Sequence, residues 1–262
     1  MSQRVEDPNV QNQYDFDVDD ADEVPEFRAY ASPVEIDKGV RFTRQAIRAY
    51  IDFTFDDEMS QINKNWDKCS SYSGMTVYLR KNLKVFHIIT EATFSKKFQF
   101  EKFARCISDP QHKLKYDSGG LSECHKFPII EDEDMYYTTY TVNKKRLQFC
   151  QRDFYEKVFQ FTQEGVFYRY CSSIYTPDQN GVPKLSTDHA PNNNKEVVRG
   201  DVIQSLQRLS LGEDGSLKLQ YLAEIDMKVF IPALVLKPVI GKSLKSWYDS
   251  VTKYYTKNHK TI

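Results

Sequence analysis

Arg152 and Asp153 stand in the middle of an otherwise apolar and aromatic run, QRDFYEKVF, and Arg199 opens a second run, VVRGDV. A guanidinium in a strand has two possible settings. On a solvated face it is an ordinary surface charge. On a buried face it needs a carboxylate or the polar end of a ligand, because an unpaired buried charge is costly. The chemistry open to these residues is therefore recognition of a polar or anionic group. Groups that would make or break bonds do not form a pattern. His87, His112, His125, His189 and His259 never fall at a metal-ligand spacing, so no zinc or iron site is expected. The glycines build neither a phosphate loop nor a dinucleotide fingerprint, and no Gly-x-Ser-x-Gly elbow occurs. Cys124 and His125 are sequence neighbours, which is not how a nucleophile and its base are normally arranged. Glu131 to Asp134 reads as a solvated turn, and Arg199-Gly200-Asp201 as a coincidental tripeptide inside a strand. Neither catalysis nor nucleic-acid binding is expected, since the basic excess is modest and dispersed.

These residues need elements to hold them. The chain has 262 residues, 40% hydrophobic and 14% aromatic, enough for one large domain with a real core. Charge is unevenly spread. Residues 1–40 carry eleven acids against three bases, a net of −8, and the remainder carries 33 bases against 26 acids, a net of +7. Residues 1–37 are thus expected to be an acidic arm, disordered unless a protein partner holds it. The five cysteines are widely spaced without a Cys-x-x-Cys pair, which favours reduced thiols in the cytosol over a disulfide framework. With no apolar run of about 20 residues, no signal core and no glycosylation sequon, an intracellular protein without a membrane span is expected.

Periodicity supplies the rest. Val40 to Phe55 places Phe42, Ala46, Ala49 and Phe53 at helical spacing. Met75–Arg80 and Val85–Phe94 read as strands joined at Lys81-Asn82, and KKFQFEKFARCI reads as a helix stopped by Asp109-Pro110. From Lys126 only strands follow: 135–142, 146–161, 166–175, 197–211 and 216–226. A hairpin turn falls at Gln163-Glu164-Gly165 and an exposed loop over 177–196. At the end, Ile240, Leu244, Trp247, Val251 and Tyr254 recur at steps of four and three, so 231–258 is one long amphipathic helix. Its apolar stripe must cover something, and a curved antiparallel sheet offers one apolar face for it. The class is α+β.

In this order the landmarks resemble a known family. Trp66 is followed by Gly74-Met75-Thr76-Val77-Tyr78-Leu79-Arg80, then Tyr116-Asp117, Arg152-Asp153-Phe154, Ser172-Ser173 with Val198-Arg199, and Asp226 before Ile231-Pro232. Over roughly residues 40–258 the chain resembles the START domain, the lipid-transfer module related to steroidogenic acute regulatory protein. It departs from that pattern at Gln151, at Lys228 and in the long 177–196 loop.

The resemblance implies a helix-grip fold over 38–262, with a curved antiparallel sheet wrapped around the long C-terminal helix and an apolar tunnel between them. It implies one bound lipid, of phospholipid or sterol class, with no other cofactor and no catalysis. Arg152 would pair with Asp134 near the lipid's polar end, and Tyr170, Ser172 and Arg199 would share that lining. Val239, Ile240, Leu244 and Trp247 would roof the tunnel, while Lys242 and Lys245 would face a membrane. Tyr137, Tyr140, Tyr168 and Tyr170 would narrow the path. The expected function is lipid binding or transfer in the cytoplasm, peripheral at membranes. The alternative is a non-catalytic accessory subunit of a larger assembly, membrane-associated or mitochondrial, in which the acidic arm meets a partner.

Overall fold

The computed structural model describes residues 44–72, 74–80, 85–128, 136–144, 151–179, 183–186, 197–229 and 233–262. The acidic arm 1–37, the Lys81-Asn82 turn, Asp134 and Ile231-Pro232 lie outside the described residues. Helix α1 (Arg44–Ser60) and the single turn α2 (Ile62–Asn65) lead into strands β1 (Trp66–Tyr72), β2 (Met75–Arg80) and β3 (Phe86–Phe94). Helices α3 (Phe100–Ser108) and α4 (Pro110–Tyr116) follow. Then come β4 (Leu121–Pro128), β5 (Tyr136–Asn143), β6 (Gln151–Gln163) and β7 (Val166–Ser173). A small hairpin, β8 (Tyr175–Pro177) and β9 (Pro183–Leu185), and the short β10 (Val197–Arg199) precede β11 (Asp201–Leu211) and β12 (Leu217–Asp226). Helix α5 (Ala233–Asn258) closes the chain.

The main sheet runs β1-β2-β3-β12-β11-β7-β6-β5-β4, antiparallel throughout this path, with β10 adding parallel to β6. Consecutive side chains alternate between its two faces, so the register fixes which face each residue takes. On the inner face Phe94, Leu217, Leu219, Leu209 and Phe167 pack with Ile240, Val251 and Tyr255 of α5 and with Phe103 of α3. On the outer face Ile89, Leu222, Leu206, Tyr168 and Tyr170 pack with Ile47, Tyr50, Ile51 and Phe55 of α1. Both faces are covered. That explains why β7 is buried at seven consecutive positions instead of alternating.

Several sequence expectations are corrected here. The first helix has the expected period but another phase: Ile47, Tyr50, Ile51 and Phe55 are buried while Phe53 is 37% exposed. Two apolar stripes overlap in that sequence, and the one with the larger side chains takes the sheet. Polar latches reinforce the choice. Arg208 bonds Asp52 at 2.7 Å and Asp56 at 3.3 Å, and Glu58 receives Arg80 at 2.9 Å and the Trp66 indole at 3.1 Å. Asp109-Pro110 does end α3, but it also starts α4, because the Asp109 carboxylate accepts from the Gln111 N–H at 2.7 Å and Pro110 needs no donor there. Strands β1 and β4 carry too many polar residues to stand out by alternation; they are read only once their neighbours are placed.

Helix α5 lies close to the β1–β2 edge. A Cβ on Gly241 would meet Ser70 Cβ at 3.0 Å, Cys69 Sγ donates to the Lys237 carbonyl at 2.9 Å, and Lys237 pairs with Asp67 at 2.7 Å. Gly74, at φ +83°, is tighter still: an added Cβ would lie 2.4 Å from Tyr248 Oη and 2.8 Å from the Thr93 carbonyl. Gly74→Ala is therefore expected to cost about 2 kcal/mol or more through backbone strain and loss of the Tyr248 contact. Urea titration checks it; a change within about 0.5 kcal/mol of wild type would contradict the geometry.

Candidate functional site

The inner face divides into two regions. Toward β1–β3 it is apolar. Phe94 stacks with Phe98 and Tyr248 and meets Phe103 at a tilt, and Tyr255 of α5 packs on Phe98 at 4.4 Å. Toward β5–β7 it turns polar. Arg169 is the centre of this second region: it is 5% exposed, flanked across the strands by Gln160 and Gln207, and its Nε has no hydrogen-bond partner. The buried Oε1 of Gln207 is also without a partner. Tyr116, Tyr137 and Cys171 are buried beside the same face.

Electrostatics follow from that burial. Burial alone would pull the Arg169 guanidinium down, but Cys171, Tyr137, Glu156 and Tyr116 together hold it above its ordinary value, so it stays charged. Burial pushes the Tyr116 and Tyr137 phenols well up, keeping them protonated donors. Cys171 is pushed up to about 11 by burial, with Arg169 opposing, so it is not a reactive thiolate. Among the described residues no three His, Cys, Asp or Glu side chains come together as a metal site. The arrangement can bind; it offers no nucleophile paired with a base.

An open cleft of about 390 Å³ reaches this region from outside, between the α3–α4 junction and the β6–β7 end of the sheet. Tyr137 and Gln160 form part of its wall, and the Tyr137 hydroxyl bridges the Ser108 carbonyl at 3.3 Å and Gln160 Oε1 at 2.9 Å. Arg44, Arg105 and Lys126 line it against Glu101 and Asp109. A second cleft of about 600 Å³ lies by Tyr72, Gly74, Ser210 and Lys218. Among the described residues no helix is long and apolar enough to cross a membrane.

No family model and no curated protein matches the chain. Solved structures do. Human STARD10 superposes with a TM-score of 0.62 at 17% identity, covering 85% of this chain and 84% of its own. Human StAR-related lipid transfer protein 5 gives 0.60 at 16% identity, covering 82% and 99%. The lipid transfer and protein localization domain of human StarD13 gives 0.55 at 12% identity, covering 82% and 98%.

The chain folds as a START domain.

Within this START fold the anticipated residues separate into three groups. Ile240 is buried in the inner-face core, and Leu244 and Trp247 pack against it partly buried. Lys242 and Lys245 are exposed, although Lys245 is paired with Asp249 at 2.7 Å and lies over the Tyr72 ring. The others need correction. Val239 is 51% exposed and faces away from the interior. Tyr170 packs edge-on against Tyr50 of α1, on the outer face, and Ser172 shares that face by alternation. Arg199 grips Asp153 with two bonds of 3.0 and 3.1 Å and the Ser186 carbonyl at 2.6 Å, beside the Tyr140 and Tyr155 rings. It is a structural clamp on the outer face. Tyr140 and Tyr168 are likewise outside, bonded to Asp153 and Asp52, so of the four tyrosines expected to narrow the tunnel only Tyr137 points in.

Arg152 stands on the inner-face phase of β6 and is 7% exposed. Its Nε donates to the Met227 carbonyl at 2.8 Å, which ties β6 to the segment leading into α5. The proposed partner Asp134 lies outside the described residues. Sequence reasoning missed Arg169 and Gln207, and it singled out Tyr116 only as a motif landmark. The signal for Arg169 was present: in VFYRYCSS it shares alternate positions with Phe167 and Cys171. Nothing in the run itself says which phase faces α5.

Proposed function

We propose that this protein is a non-catalytic lipid binder that holds one lipid, of phospholipid or sterol class, between the inner face of its sheet and α5. One observation carries the reading: an apolar inner wall ends in a buried cluster of hydrogen-bonding groups with unsatisfied capacity, at Arg169 and Gln207. An apolar chain on the first region and a polar end on the second would satisfy both, with about 0.8 kcal/mol gained per buried methylene. Two of the similar structures, StAR-related lipid transfer protein 5 and the StarD13 lipid transfer and protein localization domain, are named for lipid transfer, in agreement with it. No cofactor is required. Residues 240–247 would form the lid, with peripheral membrane contact in the cytoplasm.

Native mass spectrometry of gently purified protein is the direct test. A bound lipid is expected; protein that is consistently empty and takes nothing from liposomes would refute the reading. Reversing the exposed cations, Lys242→Glu with Lys245→Glu, is expected to lower the affinity for anionic vesicles. At about 1 kcal/mol per lysine near the surface, vesicle sedimentation would show roughly a tenfold loss or more. Unchanged sedimentation would leave α5 a core helix without a docking role.

A second reading has its own observation. The inner face is crowded by aromatic rings, Phe94, Phe98, Phe103, Tyr116, Tyr137 and Tyr255 among them, all at least 92% buried. A filled interior suits an accessory subunit that keeps the fold for assembly, mitochondrial or membrane-associated, with the acidic arm 1–37 as its contact. Removing residues 1–37 would then abolish a stoichiometric pull-down, whereas under the first reading it would leave lipid binding intact.

A further inference from the structure

We propose that Arg169 anchors an anionic group, and hence that the cargo is a lipid whose head carries a phosphate or carboxylate. This deepens the lipid-binding reading and rests on it. Arg169 is 5% exposed and its Nε is unsatisfied, so it is a site suited to a partner that the described residues do not supply. Among the described residues no ion pair reaches Arg169: Glu156 acts on it through its field, and the Tyr137 hydroxyl lies beside the guanidinium. The planar fork of an arginine matches two oxygens of one phosphate or carboxylate. The Tyr137 and Tyr116 hydroxyls, which donate to Gln160 Oε1 and the Ile107 carbonyl, add polar groups to the same wall, and Gln207 Oε1 offers an acceptor for a head-group hydroxyl.

The way in supports the same chemistry. The cleft walled by Tyr137 and Gln160 ends one strand position from Arg169, since Gln160 and Arg169 are direct cross-strand partners. Its charged lining has three cations, Arg44, Arg105 and Lys126, against two acids, Glu101 and Asp109. Tyr137, held by Ser108 and Gln160, stands in that wall and must swing for a head group to pass. Neither Arg152, which is bonded to the Met227 carbonyl, nor Arg199, which is clamped on Asp153, offers an equivalent fork toward this cleft.

The full chain would be incubated with phosphatidylcholine vesicles doped in parallel with phosphatidate, oleate, diacylglycerol or cholesterol, and its bound lipid read by native mass spectrometry. Wild type is expected to take the phosphate- or carboxylate-bearing lipids, phosphatidate, oleate or the phosphatidylcholine of the vesicle itself, over diacylglycerol and cholesterol by about tenfold. Arg169→Gln is expected to remove that preference and keep neutral uptake, and Arg169→Lys to retain part of it. The wild-type competition decides even if Arg169→Gln does not fold. Equal or greater capture of neutral lipid overturns the anion assignment while leaving lipid binding in place. Capture of no lipid overturns both, and a rise in Tm with inorganic phosphate alone, without lipid uptake, would assign the fork to a free anion instead of a head group.

Discussion

Asp153→Ala is expected to destabilise the protein by about 3–5 kcal/mol, the range for leaving one member of a buried ion pair alone. In this chain that would lower Tm by roughly 10 °C. The carboxylate side chain is 3% exposed and receives two nitrogens of Arg199, itself 15% exposed, plus the Tyr140 hydroxyl at 3.2 Å. Its loss strands a guanidinium between the Tyr140 and Tyr155 rings. The parallel pairing of β10 with β6, which places Arg199 directly opposite Asp153, would loosen with it. Lipid uptake by whatever fraction remains folded is expected to be unchanged, because the pair faces away from α5. Replacing both residues, Asp153→Leu with Arg199→Met, is expected to recover most of the loss, since no charge is then orphaned. Calorimetry of the single and double variants separates a structural clamp from a ligand site; loss of uptake without loss of Tm would put Arg199 back on the lipid side.

Phe103→Ala is the other large effect, expected at about 3–5 kcal/mol. The ring is 0% exposed and touches Phe94 at 4.5 Å, Phe98 at 5.3 Å and Tyr255 at 5.4 Å between centroids. It is the point where α3, β3 and α5 meet, so its removal opens a void that none of the three elements can close alone. Chemical denaturation would show the loss, and hydrogen exchange should show faster opening along 251–258. A variant within about 1 kcal/mol of wild type would mean that this interior is already loosely packed, which would itself favour room for a ligand over a filled core.

Much of the architecture could be read before any coordinates. The alternation of Leu217, Leu219, Tyr221, Ala223 and Ile225, and the four-three stripe of Ile240, Leu244, Trp247 and Val251, survive almost unaltered. Each is long, regular and backed by strong side-chain size contrast. The candidate site was legible only in part. Arg152 was chosen from its motif, and it does lie on the inner phase, where its Nε donates to the Met227 carbonyl. Arg199 and Tyr170 were placed in the lining by the resemblance, and the structure puts both on the outer face. Arg169 was passed over although its setting is the most demanding of all.

What the sequence determined by itself is therefore periodicity: which segments are strands, which are helices, and that the last helix must cover a sheet. Periodicity fixes that neighbouring side chains point opposite ways, but not which way is inward. When α1 covers the outer face as α5 covers the inner one, both phases of β6, β7 and β11 become buried, and hydrophobicity no longer distinguishes them. Only the tertiary structure decides that, through the register that sets Arg169 between Gln160 and Gln207 and leaves Arg199 opposite Asp153. The physical reason is that facing is a property of what lies above the strand, and those elements come from residues 44–60 and 233–258, far away along the chain.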